Sequence, residues 1–203
     1  MKQVIDNLWD QLLKENPNNV CNRASVEFDD KKSVYTIVFL NNEYLISLND
    51  KTISGFKEVR LIEVPEFYFL VLSYLIRSQD IPLSKELVSE KYLPGGKLFF
   101  TGVHQLPVKP LVDRFGNNRP AYLNTGRKLG GIEVDFGDLA FKFLVLPRIP
   151  IICILWVEDD EFPARISFLF DTTISKQLPT DLILAFVQLF VKGIVIKFES
   201  LEI

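Results

Sequence analysis

One stretch, Ile149 to Ser175 (IPIICILWVEDDEFPARISFLFDTTIS), limits the fold more than any other. Ile149 to Val157 is almost unbroken apolar and closed by Trp156. A run of that length, too short for an ordinary helix, predicts a strand buried on both faces. Arg165 to Phe170 alternates, with Ile166, Phe168 and Phe170 on one side and Arg165, Ser167 and Leu169 on the other, the period-2 mark of a strand. Between them stand Glu158, Asp159, Asp160 and Glu161, then Phe162 and Pro163. Four like charges cannot be buried together without partners or a cation, so an exposed hairpin turn is expected. Asp171 and two threonines close the unit with turn and cap chemistry.

The rest of the chain reads as helices and meanders. Val4, Ile5, Leu8, Trp9, Leu12 and Leu13 recur at helical spacing, predicting a first helix that ends before Asn16-Pro17-Asn18-Asn19. Strands are expected over Ala24–Asp29, Val34–Leu40 and Glu43–Leu48, joined by short polar links, and then a linker. Pro65–Arg77 is apolar nearly all round, a helix buried on most sides. Ser84–Lys91 predicts a short helix capped by Ser84, and Lys109–Phe115 and Pro120–Leu129 predict two more. Strands follow over Ile132–Phe136 and Leu139–Leu146, the second with Leu139, Phe141, Phe143 and Val145 inward. Thr180–Lys192 reads as a helix stopped by Gly193; Ile194–Ile203 then fits a last strand or a frayed helix.

The fold class expected is α+β: antiparallel meanders with apolar helices packed on one side. Leu48-Asn49-Asp50-Lys51-Thr52-Ile53-Ser54 echoes Leu169-Phe170-Asp171-Thr172-Thr173-Ile174-Ser175. The echo raises an internal duplication of a helix–three-strand–helix unit within one compact domain, 1–203. The halves would be 1–91 and 119–203, joined by a Gly, Pro and basic segment, 92–118. A cleft between them would be the default ligand site.

Composition narrows the function classes. With 203 residues, 48% of them hydrophobic and 17 of them Phe, the chain can build a substantial core. A net charge of −3 argues against nucleic acid as a partner. The N-terminus is amphipathic and polar-studded, unlike a signal peptide, and Gln188, Lys192 and Gly193 interrupt the longest C-terminal apolar run, so no membrane span is expected. Cys21 and Cys153 are far apart in sequence and form no zinc or disulfide pattern, which fits a reducing cytoplasm.

Three groups of residues bear chemistry. Arg114, Arg127 and Lys128, with Gly95-Gly96 and Gly130-Gly131 for close backbone approach, could bind a phosphate or carboxylate; no GxGxxG or GxxxxGK[ST] is present to make that a nucleotide fold. His104, the single histidine, could act as a general base or a metal ligand, against the plainer reading of a hydrogen-bonded loop residue. Asp159, Asp160 and Glu161, with Asp171 or Asp138, could offer oxygens to Mg²⁺ or Ca²⁺, though the spacing matches no calcium loop. The alternative is that some of these acids pair with the basic middle segment and the rest stay solvated. Trp156 and the phenylalanines read first as core, and Trp156 is also carried as a ligand-binding candidate. Cys153, inside an apolar strand, is expected to be an inert thiol.

Three pieces together resemble a known family. They are Tyr92-Leu93-Pro94-Gly95-Gly96-Lys97-Leu98-Phe99-Phe100 with His104, Phe136-Gly137-Asp138-Leu139-Ala140-Phe141 leading to Leu146-Pro147-Arg148-Ile149-Pro150, and Trp156 through Glu161-Phe162-Pro163 to Leu169-Phe170-Asp171. They look like a domain-of-unknown-function family of mainly anaerobic bacteria and archaea, some members of which carry an additional iron–sulfur module. The resemblance implies the fold unit and says little of activity. Without clustered cysteines, no iron–sulfur cluster is expected on this chain alone.

The function expected first is an accessory, non-catalytic binding module for an anionic or metal-containing small molecule. A scaffold domain that docks a protein partner is the alternative, and a small enzyme using His104 or the acidic turn is a third.

Overall fold

The computed structural model describes residues 1–55 and 60–202. Two antiparallel sheets alternate with helices in an α+β fold. Helices α1 (Lys2–Leu12) and α2 (Pro17–Ala24) lead into a meander of β1 (Glu27–Asp29), β2 (Val34–Phe39), β3 (Asn42–Ser47) and β4 (Thr52–Gly55), in that spatial order. Helix α3 (Pro65–Arg77) follows. The second sheet has five strands: β5 (Leu87–Val88), β6 (Ile132–Glu133), β7 (Leu139–Leu146), β8 (Ile149–Trp156) and β9 (Arg165–Asp171), in the order β5-β9-β8-β7-β6. Helices α4 (Gly96–Phe99), α5 (Lys109–Phe115) and α6 (Arg119–Lys128) lie between β5 and β6 in sequence, and α7 (Ile174–Gln177) and α8 (Thr180–Leu201) close the chain. Among the described residues, no helix is long and apolar enough to cross a membrane.

The β7–β8–β9 meander forms as its alternation predicts. Phe141, Phe143 and Val145, and across the sheet Ile166, Phe168 and Phe170, are all buried on the face that receives the helices. Phe190 of α8 meets Phe143 and Phe168 with ring centroids 5.3 and 5.9 Å apart. On the other sheet Phe67 of α3 packs edge-on against Phe39 and tilted against Tyr44. Helices α3 and α8 touch, so one continuous hydrophobic core runs through both sheets.

The sheets are also pinned directly. The β2–β3 turn is a two-residue loop with φ of 48° at Leu40 and 60° at Asn41, both left-handed, as a tight hairpin requires. Leu40 is buried, and its N–H donates to the carbonyl of Val145 at 2.9 Å, where the β7–β8 register slips between Leu144 and Leu146. Gly193 lies against the same leucine: a Cβ there would come within 2.7 Å of Leu40 Cδ2.

That contact corrects the expected helix stop. Helix α8 runs through Gly193 to Leu201, because the glycine supplies close approach in place of a left-handed cap; no strand forms over 194–202, and Ile203 lies outside the described residues. Asn16-Pro17 likewise starts a helix. The Asn16 side chain accepts the N–H groups of Asn18 (3.0 Å) and Asn19 (3.3 Å), Pro17 occupies the first turn, and α2 takes Ala24 from the expected strand. The helix expected over Ser84–Lys91 is absent. Ser84 and Lys85 are tied to Asp171 instead, and the chain continues into β5 and a 3₁₀ turn at Glu90–Tyr92. Part of the expected linker after Leu48 is strand β4, and its residues 56–59 lie outside the described residues. The sequence echo takes two different structures, Thr52-Ile53-Ser54 a strand and Ile174-Ser175 the start of α7, so it marks no common local fold.

Strand β8 is buried as predicted, but not by two layers of helices. Its alternate residues Ile152 and Ile154 face away from the main core and join Ala140 in a small separate cluster, flanked by Val134, Trp156 and Leu169. All of that cluster comes from the sheet and the loop beside it; no helix residue contributes.

Candidate functional site

The β8–β9 hairpin builds a cleft at one end of this outer face. Its turn is held by Asp159, whose Oδ1 accepts the N–H groups of Glu161 (2.9 Å) and Phe162 (2.7 Å). The Glu158 N–H donates to the Gly116 carbonyl at 3.2 Å, fixing the hairpin to the α5–α6 turn. Only glycine allows that approach, since a Cβ on residue 116 would lie 2.7 Å from the Cβ of Ala164. From the β6–β7 loop, Asp138 accepts the Val157 N–H through Oδ2 at 2.8 Å, and Arg119 at the start of α6 sits 3.6 Å from its Oδ1.

The resulting cavity, about 650 Å³, is lined by Asp138, Trp156, Asp159, Phe162, Pro163 and Arg165, with Val157 and Ala164. Trp156 and Arg165 are register partners across the hairpin, so their side chains share one face. The Arg165 guanidinium lies 3.9 Å from the centroid of the Trp156 ring, a cation–π stack. Among the described residues, no carboxylate lies within 4.0 Å of Arg165. Phe162 stands 66% exposed at the rim. The cavity thus offers aromatic walls and a stacked guanidinium with unused donors, which suits a planar or apolar body bearing an anionic group.

Of the residues singled out in the sequence, this cleft contains Trp156 and Asp159, together with Asp138. Asp160 and Glu161 are exposed on the turn and do not line it. Asp171 is at the opposite end of β9, buried and saturated by hydrogen bonds from Ser84, Lys85 and Thr173. Desolvation raises its pKa, but those donors outweigh it and hold the carboxyl at about 2. The carboxylates considered for a metal are therefore not one site. Among the described residues, no group of three or more His, Cys, Asp or Glu is placed to hold a metal ion.

The basic residues disperse as well. Arg114 pairs with Glu199 of α8 at 2.6 Å and donates to the Pro110 carbonyl, while Arg127 pairs with Glu133 at 2.8 Å. Lys128 is exposed at the end of α6. None of the three lines the cleft, and their acidic partners come from α8 and β6, not from the turn. His104 ends a 3₁₀ turn with its imidazole stacked on Phe99, centroids 4.6 Å apart and planes 9° from parallel, and it too is outside the cleft. Cys153 is fully buried and its thiol is pushed up to about 12 by desolvation, as an inert core thiol should be. Arg165 and Phe162 were not picked out from the sequence. The signal was there: a hairpin with Trp156 paired to Arg165 puts an aromatic beside a cation on one face.

No curated protein and no solved structure matches the chain. The profile of a domain of unknown function, DUF3786, matches residues 16–193, from the cap of α2 to the middle of α8. A match across both sheets and the hairpin cleft makes this chain a member of the DUF3786 family.

Proposed function

We propose that this chain is a binding module whose ligand, a small anionic molecule with an apolar or aromatic body, occupies the hairpin cleft. The observation that carries the reading is the Arg165 guanidinium, stacked on Trp156 and without a carboxylate partner among the described residues. A guanidinium with free donors stacked on an indole is built to take a carboxylate or phosphate bidentately. A cavity of about 650 Å³ is within the usual range of small-molecule sites. The module works in a reducing compartment, the cytoplasm, consistent with two free cysteines. That the ligand includes metal-containing anions rests on the family resemblance alone, with its anaerobic members and their iron–sulfur modules.

Tryptophan fluorescence tests this directly. Trp9 is 2% exposed on the core side of α1, so changes on adding a ligand report Trp156. Inorganic phosphate, benzoate and phenyl phosphate are titrated into the full chain. Phenyl phosphate and benzoate should shift the emission saturably, phosphate more weakly, and Arg165→Gln should weaken binding at least about tenfold. No response to any of the three probes, or equal affinity in Arg165→Gln, would overturn the assignment.

A further inference from the structure

We propose that the outer face of the second sheet docks an amphipathic helix of a protein partner, one whose apolar stripe is flanked by acidic residues. This goes beyond the cleft and does not depend on it. Alternation and register put Ile132, Lys142, Ile152 and Leu169 in one row across four strands, with Leu144 in the next row. Ile132 is 68% and Leu144 56% exposed, and Leu87 of β5 is open at the other edge. No helix residue packs on the cluster at the centre of this face; Ala140, Ile152 and Ile154 are only 3–4% exposed among their sheet neighbours, and the open apolar area lies at Ile132, Leu144 and Leu87 around them. Antiparallel sheets normally solvate such a face with polar side chains; this one carries Ile132, Leu144, Ile152, Leu169 and Leu87 around a single mid-face lysine, Lys142.

Charge identifies the partner. The cations of this stretch are Lys142, in mid-face, and Lys85, which with Leu83, Leu87, Pro150 and Ile152 borders a shallow 130 Å³ hollow. Among the described residues neither ammonium has a carboxylate within 4.0 Å. The acid beside them, Asp171, is buried and fully engaged by Ser84, Lys85 and Thr173. An acidic flank on the partner would neutralise both lysines. A second copy of this chain fits less well, because face-to-face stacking sets lysines against lysines. The area is also small: five strands at about 4.8 Å spacing and roughly 26 Å of strand give on the order of 500 Å², below the ~800 Å² per partner of a standard interface. A single helix about 10 Å across and about 18 residues (~27 Å) long fits within that footprint and spans the length of the strands.

The test uses two synthetic helical peptides of about 18 residues with leucines at i, i+3, i+4 and i+7, one flanked by glutamates and one by lysines. Fluorescence anisotropy against the full chain should show the glutamate peptide binding at least about tenfold more tightly, the difference shrinking with salt. The exposed double substitution Ile132→Glu with Leu144→Glu should abolish binding without changing the melting temperature, Lys142→Ala should reduce the preference, and Arg165→Gln should leave it intact. Binding of neither peptide, or equal binding of both, overturns the proposal. So does a dimer in sedimentation equilibrium that Leu144→Glu dissociates, which would give the face to a second copy.

Discussion

Replacing Asp171 by Asn tests whether this carboxylate is a structural anchor. Its Oδ1 accepts the Ser84 N–H (3.1 Å) and hydroxyl (2.8 Å) and the Thr173 N–H (3.0 Å) and hydroxyl (2.6 Å); Oδ2 accepts the Lys85 N–H at 2.8 Å. The group thereby clamps the loop before β5 to the end of β9, 87 residues away at Ser84. Its pKa falls from 3.8 to about 2 in the folded state. At 1.36 kcal/mol for each unit, the ionised carboxylate contributes about 2 kcal/mol of stability. Because the folded pKa is depressed, that contribution is full above the unfolded value near 4 and is lost as pH falls toward 2. Asn keeps the shape but carries no charge, and its amide nitrogen would face the Lys85 N–H donor to donor. Urea unfolding at pH 7 and in steps toward pH 2 should show Asp171→Asn about 2 kcal/mol less stable at neutral pH, the gap narrowing below pH 4. A gap that stays constant down to the acid end, or no gap at pH 7, would refute the reasoning. Stabilisation of the native chain by Mg²⁺ or Ca²⁺ that Asp171→Asn abolishes would return the residue to a metal site.

Two further substitutions probe the packing that positions the second sheet. In Gly126→Ala the new Cβ would lie 2.3 Å from Cε2 of Phe141, a fully buried ring held beside Tyr122 and Phe143; overpacking of about 1–3 kcal/mol outweighs the ~1 kcal/mol gained in helix propensity, and thermal melts should show a Tm several degrees lower, a raised Tm speaking against it. Tyr74→Phe removes a buried hydroxyl that donates to the Ala24 carbonyl at 2.8 Å and accepts the Arg148 N–H at 3.1 Å, leaving both unpaired; urea unfolding should show a loss of about 1–3 kcal/mol with an unchanged m-value, and a loss under about 0.5 kcal/mol would show that neither group was stranded.

What the sequence reveals follows the range of each interaction. The alternation of Arg165 to Phe170 and the continuous run of Ile149 to Trp156 placed β8 and β9 correctly, because burial period is written locally. Asn16-Pro17 misled because the same pair that ends one helix is also good chemistry for starting another. Gly193 misled because its role is set by Leu40, a residue from a hairpin 153 positions earlier, and a glycine needed for close approach looks like a glycine needed for a turn. The basic segment was visible as charge, yet Arg114 finds Glu199 on α8, 85 residues away, and no local pattern names that partner. The cleft was half legible. Its acidic turn and Trp156 stood out, whereas Arg165 read as the polar side of a strand until the register put it over the indole.

The position of Arg165 is itself informative, since a cation one strand from four consecutive carboxylates should be neutralised by one of them. It is not, and the geometry of the turn accounts for that. Asp159 spends its Oδ1 on the N–H groups of its own turn, so its carboxylate is oriented by the backbone. Asp138 is directed at the Val157 N–H and toward Arg119. Glu158, Asp160 and Glu161 are exposed to solvent, where an ion pair with an exposed arginine gains little over hydration. The Trp156 face is the remaining favourable surface, and stacking there leaves the in-plane donors of the guanidinium unspent. The acidic turn thus works as geometry: its hydrogen bonds shape the cleft, and its charges leave the arginine available.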